Sequence, residues 1–271
     1  MEARKITVTH LGDRKPSLQS PSPQKIVAVT AYDYTMAKLL DELVDIVLVG
    51  DSLGMIVQGE RNTLTVSLEQ VIYHSRCVAK AVRHAHLVAD MPFMTFQINE
   101  AETLKNAGRL ISEGRAEAVK LEGGVRIARV VERLATSGIP VLGHLGLTPQ
   151  SVHAFGGYKI QGRTDPAKET LIQDALALED AGVYAMVLEG IPAELAKIIT
   201  ERVKVPTIGI GAGPFCDGQV LVSADLLGMN TAFHPKFVKR YANLTESIRT
   251  AVNQFVTEVR EGEFPTREHS F

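Results

Sequence analysis

Short apolar runs rich in β-branched residues recur along the chain: IVAVTAYD (26–33), DIVLVGDS (45–52), HLVADMPF (86–93) and AEAVKLEGG (116–124). The series continues with IPVLGHLGL (139–147), VYAMVLEG (183–190), VPTIGIGAG (205–213) and GQVLVSADLLG (218–228). These runs are nearly continuous rather than alternating, as parallel strands buried on both faces require. Segments with helical spacing separate them. Residues 67–84 place Leu68, Val71, Ile72, Val78 and Val82 on one face behind a candidate N-cap, Ser67. Residues 99–113 start at Asn99 and carry Ala101, Leu104, Leu110 and Ile111. Residues 125–137, 168–181 and 192–203 read similarly, with Pro192 suited to a first helical turn. A last helix covers 244–260 and ends near Gly262.

Strand–helix alternation repeated about eight times predicts a closed (β/α)8 TIM barrel. No linker divides the chain, so 25–271 is read as a single catalytic domain with a C-terminal helix and tail. Residues 1–24 are read as an N-terminal arm, exposed over its polar, Pro- and Ser-bearing stretch 11–24. Two places fit the barrel poorly: the short interval between GIGAG and GQVLV, and the long loop 53–66. A doubly wound open sheet is the alternative.

Composition narrows the class without naming a chemistry. With 45% apolar and 22% charged residues, the 271-residue chain can bury a sizeable core. A net charge of −2 offers no general attraction for nucleic acid or anionic membrane. No apolar run approaches the roughly 18–20 residues that span a bilayer, and MEARKITVTH lacks the apolar stretch of a signal peptide. Cys77 and Cys216 have no zinc-like spacing and read as unpaired thiols. A cytoplasmic location is expected.

The candidate chemistry lies at the strand ends. Barrel enzymes draw their catalytic groups from the C-terminal ends of several strands, and here those ends carry Asp33, Asp51, Ser52, Asp90, Lys120, Glu122, His144 and Glu189. Acids converging on one rim repel one another unless a cation joins them. Asp51, Asp90 and Glu122 therefore form a candidate site for a divalent ion, with oxygen-only ligands favouring Mg2+ over zinc. Each residue also has a plainer reading. Asp51 and Asp90 could cap turns. Lys120 and Glu122 share a strand face and could form a structural ion pair. His144 could be a core histidine. Glu189, emerging from an apolar strand, is a candidate general base or a partner for a nearby cation. The glycines of GIGAG (209–213) lack the Lys and Ser/Thr of a phosphate loop and read as tight packing, and GGYKIQGR (156–163) reads as a surface loop or lid.

Taken in order, TAYDY, LVGDSLGM, ADMPFMTFQ, VKLEGG, GHLGLTPQS, GGYKIQGR, IGIGAGPFCDGQVLV and the terminal FP…EHSF resemble the ketopantoate hydroxymethyltransferases, from about Lys25 to Phe271. The resemblance implies a (β/α)8 fold and transfer of a one-carbon unit from methylene-tetrahydrofolate to 3-methyl-2-oxobutanoate, the first step toward pantothenate. It assigns Asp51 and Asp90 to metal and substrate, Ser52 and Lys120 to substrate, Glu122 to metal, Glu189 to proton transfer and His144 to a supporting role. It further implies Mg2+ and a decamer built from two five-membered rings. Leu43-Val44-Asp45, Gly190 after Glu189, and Ala224 before Asp225 depart from the usual pattern. None of them removes a group with a chemical job. Another Mg2+-dependent barrel acting on 2-oxo acids, of the phosphoenolpyruvate mutase and isocitrate lyase kind, and a non-catalytic binding barrel are the rival readings.

Overall fold

All eight apolar runs form strands in the computed structural model, which describes residues 4–16, 20, 23–231 and 235–271. In chain order the first half contains α1 (Val8–Gly12), β1 (Ile26–Thr30), α2 (Tyr34–Leu40), β2 (Ile46–Val49), α3 (Leu53–Ile56), α4 (Leu68–Ala79), β3 (His86–Asp90), α5 (Glu100–Ser112) and β4 (Ala118–Glu122). It continues with α6 (Val125–Thr136), β5 (Val141–Gly146), α7 (Val152–Phe155), α8 (Asp165–Asp180), β6 (Ala185–Glu189), α9 (Ala193–Arg202), β7 (Thr207–Ile210) and β8 (Gly218–Leu221). Last come α10 (Ser223–Leu226) and α11 (Leu244–Glu261). Each strand pairs in parallel with its sequence neighbours, and β8 returns to β1. The sheet closes as a (β/α)8 barrel. The open-sheet alternative is excluded.

Two compact units are distinguishable, Met1–Val222 with every strand of the barrel and Ser223–Phe271 with α10 and α11. Among the described residues no helix is long and apolar enough to cross a membrane. Cys77 and Cys216 are both free.

Strand geometry sets up the site. The inner core of the barrel is built from Ile46 and Leu48 of β2, Val88 of β3, Ala118 of β4, Leu142 of β5, Ala185 and Val187 of β6, and their counterparts on β1, β7 and β8. Side chains alternate with a period of two. Counting forward in steps of two leads to Asp90, Lys120, Glu122, His144 and Glu189 as the next inward positions.

α2, α4, α5 and α8 start where polar side-chain caps satisfy a first-turn N–H group. Ser67 and Gln70 form a capping box at α4, and the Asn99 side chain accepts from Glu102 N at 2.9 Å at α5. Pro192 stands one position earlier than expected, as the N-cap of α9. The start of α8 moves the other way, to Asp165, because Thr164 caps it and Pro166 fits its first turn. α1, α2, α3, α7 and α10 were not anticipated. The longest of them has seven residues, too short to show a helical period.

Residues 211–217 join β7 to β8 without a helix. The GIGAG glycines serve packing there: Gly213 has φ +79°, and a Cβ on it would lie 2.4 Å from Ala193 Cβ.

The segment before β1 is exposed at Gly12, Asp13, Pro16 and Gln24 but is seated on the barrel through α1. Leu11 on α1 is 1% exposed and belongs to the barrel's inner core. Polar contacts seat the segment: Ile6 N donates to His84 O at 2.8 Å, and Arg14 pairs with Asp45 at 3.4 Å. Lys15 reaches Asp217 at 2.9 Å, and Lys5 reaches Glu117 at 2.9 Å. Leu11 is the one fully buried residue among residues 4–16, so no period of buried positions marks this docking. Residues 1–3, 17–19, 21 and 22 of the expected arm lie outside the described residues.

Leu11→Ala should lower stability by about 2–5 kcal/mol, measured by urea denaturation, and an unchanged midpoint would show that the arm is not part of the core. Burial works against the Glu117 charge, but His86, Leu87 N–H and Lys5 outweigh it and hold the carboxyl at about 2 rather than 4.5. A carboxyl with a depressed folded-state pKa contributes stability above its unfolded value and loses it as pH falls through the folded one. Glu117→Gln should therefore be less stable than the parent near neutrality, with the gap closing between about pH 4.5 and pH 2. A gap independent of pH would refute the charged clamp.

Candidate active site

Register places the polar strand ends side by side. Asp90 is paired with Lys120, Glu122 with His144, and Gly146 with Glu189. Asp51 and Ser52 enter from the turn that follows β2. The Asp51 backbone N–H donates to Asp90 Oδ2 at 2.9 Å, and Lys120 Nζ stands 3.3 Å from the same oxygen. Lys120 Nζ is also 3.1 Å from His144 Nδ1. From His144, Nδ1 is 3.5 Å from Glu122 Oε1 and Nε2 is 3.1 Å from Glu189 Oε2. Ser52 Oγ shares a 2.8 Å hydrogen bond with the buried Tyr32 hydroxyl. Gly50 permits the close approach of the β2 turn, since a Cβ there would lie 2.7 Å from Ser52 Oγ and 3.5 Å from Asp90 Oδ2.

Asp51, Asp90, Lys120, Glu122 and His144 are all buried, so their charges depend on one another. Burial raises the Asp51 pKa well above the ordinary carboxylate range, reinforced by Asp90 and Glu122. Burial also raises Asp90, against the pull of Lys120 and the Asp51 N–H. It would do the same to Glu122, but His144, Lys120 and the N–H of Gln150 outweigh it and lower that carboxyl. Burial opposes the Lys120 charge, and Asp90, Glu122, Asp51 and Glu189 more than restore it. For His144, burial and Lys120 work against a proton, but Glu122 and Glu189 prevail and push the pKa up to about 9. The approach of Lys120 to Nδ1 suits instead a neutral ring accepting at that atom. In both forms Nε2 carries a proton and stands 3.1 Å from Glu189 Oε2, close but not aligned as a hydrogen bond.

The predicted residues thus come together, with one exception. Asp33 caps α2 by accepting from Met36 N at 2.9 Å and takes no part in the rim. The loop GGYKIQGR brings Tyr158 toward it: its hydroxyl contacts Met55 Sδ at 3.6 Å. Burial and the field of Asp51, Glu189 and Glu122 raise the Tyr158 pKa.

Three neighbours escaped the sequence reading. Tyr32 supports Ser52. Gln150 ties the rim together, donating from Nε2 to Asp51 Oδ2 and to Met91 O, both at 2.9 Å, and from its backbone N to Glu122 Oε2 at 3.0 Å. Gln97 Nε2 donates to the Gln150 carbonyl oxygen at 3.1 Å. Gln150 sits in a 3-10 turn opened by Pro149, and only its place inside GHLGLTPQS marked it in the sequence.

The rim suits a hard cation. Buried Asp90 Oδ1 and Glu122 Oε1 lack a well-aligned hydrogen-bond partner, so oxygen acceptors remain open there. Among the described residues no group of three or more His, Cys, Asp or Glu side chains converges into a ready cage. Such a rim matches an ion held by one or two carboxylates and several waters, which is the habit of Mg2+.

The family model for ketopantoate hydroxymethyltransferase matches residues 5–267. This chain belongs to the ketopantoate hydroxymethyltransferase family. Proteins named 3-methyl-2-oxobutanoate hydroxymethyltransferase from Syntrophus aciditrophicus and Pelobacter propionicus are 51% and 54% identical. The first alignment spans 100% of this chain and 98% of the relative, the second 92% of each. The chain is accordingly a transferase of this family.

The solved structures it resembles share the barrel at much lower identity. A 2,3-dimethylmalate lyase of the PEP mutase/isocitrate lyase superfamily matches at TM-score 0.60 and 17% identity, over 97% of this chain and 91% of that one. A phosphonopyruvate hydrolase bound to oxalate and Mg2+ matches at 0.59 and 14%, over 97% and 93%. At that distance the likeness is one of fold.

Gln150→Ala removes the amide from Asp51 and the Met91 carbonyl and should cost about 1–3 kcal/mol of stability, whereas Gln150→Glu, which sets a new carboxylate against Asp51, should cost more. Denaturation midpoints check both, and an unperturbed pair would show that the amide bridge is idle.

Proposed function

We propose that the chain transfers a hydroxymethyl unit from methylene-tetrahydrofolate to 3-methyl-2-oxobutanoate. The two substrates and one water give tetrahydrofolate and 2-dehydropantoate, the first step toward pantothenate. The observation that carries the reading is the continuous array Asp90–Lys120–His144–Glu189 at the rim, in a chain about half identical to relatives named for this reaction.

The chemical obstacle is removal of a proton from C3 of the oxo acid, because the resulting enolate is high in energy. Asp51 and Asp90, with Glu122 beside them, would hold a Mg2+ ion, which when bound would supply Lewis-acid stabilisation of the developing negative charge. Lys120 Nζ binds the substrate carboxylate and adds fixed positive charge. Ser52 Oγ, held by Tyr32, binds the oxo acid from the β2 side. Glu189 accepts the C3 proton, and His144 Nε2–H orients its carboxylate. C3 then bonds to the methylene carbon as the first of its two carbon–nitrogen bonds breaks. The second breaks as water supplies the hydroxyl oxygen, and the two folate nitrogens take up the C3 proton and the proton released by that water. Gln150 keeps Asp51 and Glu122 in place, and the buried rim limits competing water. The reading extends, through the family resemblance, to a cytoplasmic homodecamer.

Glu189→Gln should slow exchange of the C3 proton by about 10²–10⁴-fold, followed by proton resonance in deuterated water, while calorimetry shows metal and oxo-acid binding retained. Exchange at the parental rate would remove the base assignment. Asp51→Asn and Asp90→Asn should each weaken metal-dependent oxo-acid binding by about tenfold or more; unchanged affinity in both would remove the metal assignment.

A further inference from the structure

A cavity of about 740 Å³ opens beside the rim, lined from the loop after β3 and from α5 and α6. Its buried side is Glu122 and Gln150, the residues joined to each other and to Asp51. Its walls include Phe93, Ile98 and Val130. Phe93 and Ile98 are large apolar side chains left 38% and 53% exposed. Its outer side carries Arg126 and Arg129. Arg126 Nη2 approaches Ser151 Oγ at 3.4 Å, and Arg129 pairs with Glu100 of α5. The loop bearing Phe93 and Ile98 holds Met94 at φ +64°, a conformation that costs energy in a non-glycine residue and concentrates at binding sites.

From inside to outside the lining therefore runs polar, apolar, cationic. A tetrahydrofolate has the same order of parts: a hydrogen-bonding bicyclic ring, a benzoyl group, and glutamyl carboxylates. Its one-carbon bridge lies between the ring and the benzoyl group. With the ring inward, that bridge comes to lie near the rim and the acidic tail meets the arginines. A second cavity, of about 630 Å³, shares Arg126 and Ser151 with the first but is otherwise lined by residues such as Ala154, Leu171 and Asp174 and by none of the rim acids. Arg129 and Val130 line the first and not the second. A donor held there would not face Glu122.

We propose that the first cavity seats the tetrahydrofolate carrier, its ring toward Glu122 and Gln150 and its glutamyl carboxylates on Arg126 and Arg129. The assignment rests on the one-carbon transfer reading above. It makes Phe93, Ile98 and Val130 the apolar sleeve that keeps the carrier against the oxo acid.

The test is direct binding of 5-formyl-tetrahydrofolate, a stable carrier analogue, followed by calorimetry on the full chain. Val130→Trp, which fills the sleeve, and the double variant Arg126→Ala/Arg129→Ala should each weaken binding by about ten- to a hundredfold. Ala154→Trp, in the second cavity, should bind as the parent does. Against a tetrahydropterin without the benzoyl-glutamate tail, the double arginine variant should also match the parent. Retained 3-methyl-2-oxobutanoate binding and a cooperative melt show that each variant is folded. Parental affinity in both first-cavity variants, or loss in Ala154→Trp alone, overturns the placement while leaving the transfer reading intact. A parent protein that binds no tetrahydrofolate overturns both.

Discussion

The structure turns on a single electrostatic constraint: one ammonium, Lys120, buried among acids that would not tolerate burial without it. Desolvation penalises every charge on the rim, and the penalty is met by proximity. Lys120 faces Asp90 and His144, and His144 passes the contact on to Glu122 and Glu189. The surrounding backbone serves this arrangement. Gly50 leaves room for it, the Asp51 N–H caps Asp90, and Gln150 holds Asp51, Glu122 and the Met91 carbonyl through three hydrogen bonds. Removing the lysine would leave buried anions facing one another, which ranks among the costliest changes a fold can suffer.

The barrel also divides labour by strand. The turn after β2, with β3 and β4, carries the acids and the lysine, while β5 and β6 carry the His144–Glu189 pair. Fold neighbours at 14–17% identity share the frame. What distinguishes this chain lies in the loops at the strand ends, where barrel enzymes vary their chemistry.

The fold was legible in the sequence to the extent that burial is two-sided. Parallel strands with both faces covered leave long apolar runs, and all eight strands could be placed from them. The same property exposed the rim, because Asp90, Lys120, Glu122, His144 and Glu189 interrupt runs in which a polar residue is otherwise out of place. Gln150 and Tyr32 left no such mark. Gln150 is an amide in a loop and Tyr32 an aromatic just past a strand, and neither breaks a pattern. Asp33 misled for the complementary reason, since a helix cap and a rim acid look alike until the side chain's direction is known. Leu11 escaped because one buried residue has no period.

The arm has a consequence for how the chain assembles. Leu11 belongs to a core whose other members come from every strand of the barrel, and Lys15 is bound to Asp217, 202 residues further on. Contacts of such separation form only after the intervening chain has been ordered, because each carries the entropy of closing a long loop. The segment before β1 thus depends for its seat on chain that lies far beyond it in sequence. Docking of α1 joins the segment before β1 to the turn just ahead of β8, so the two ends of the barrel's closure are tied by a contact outside the sheet.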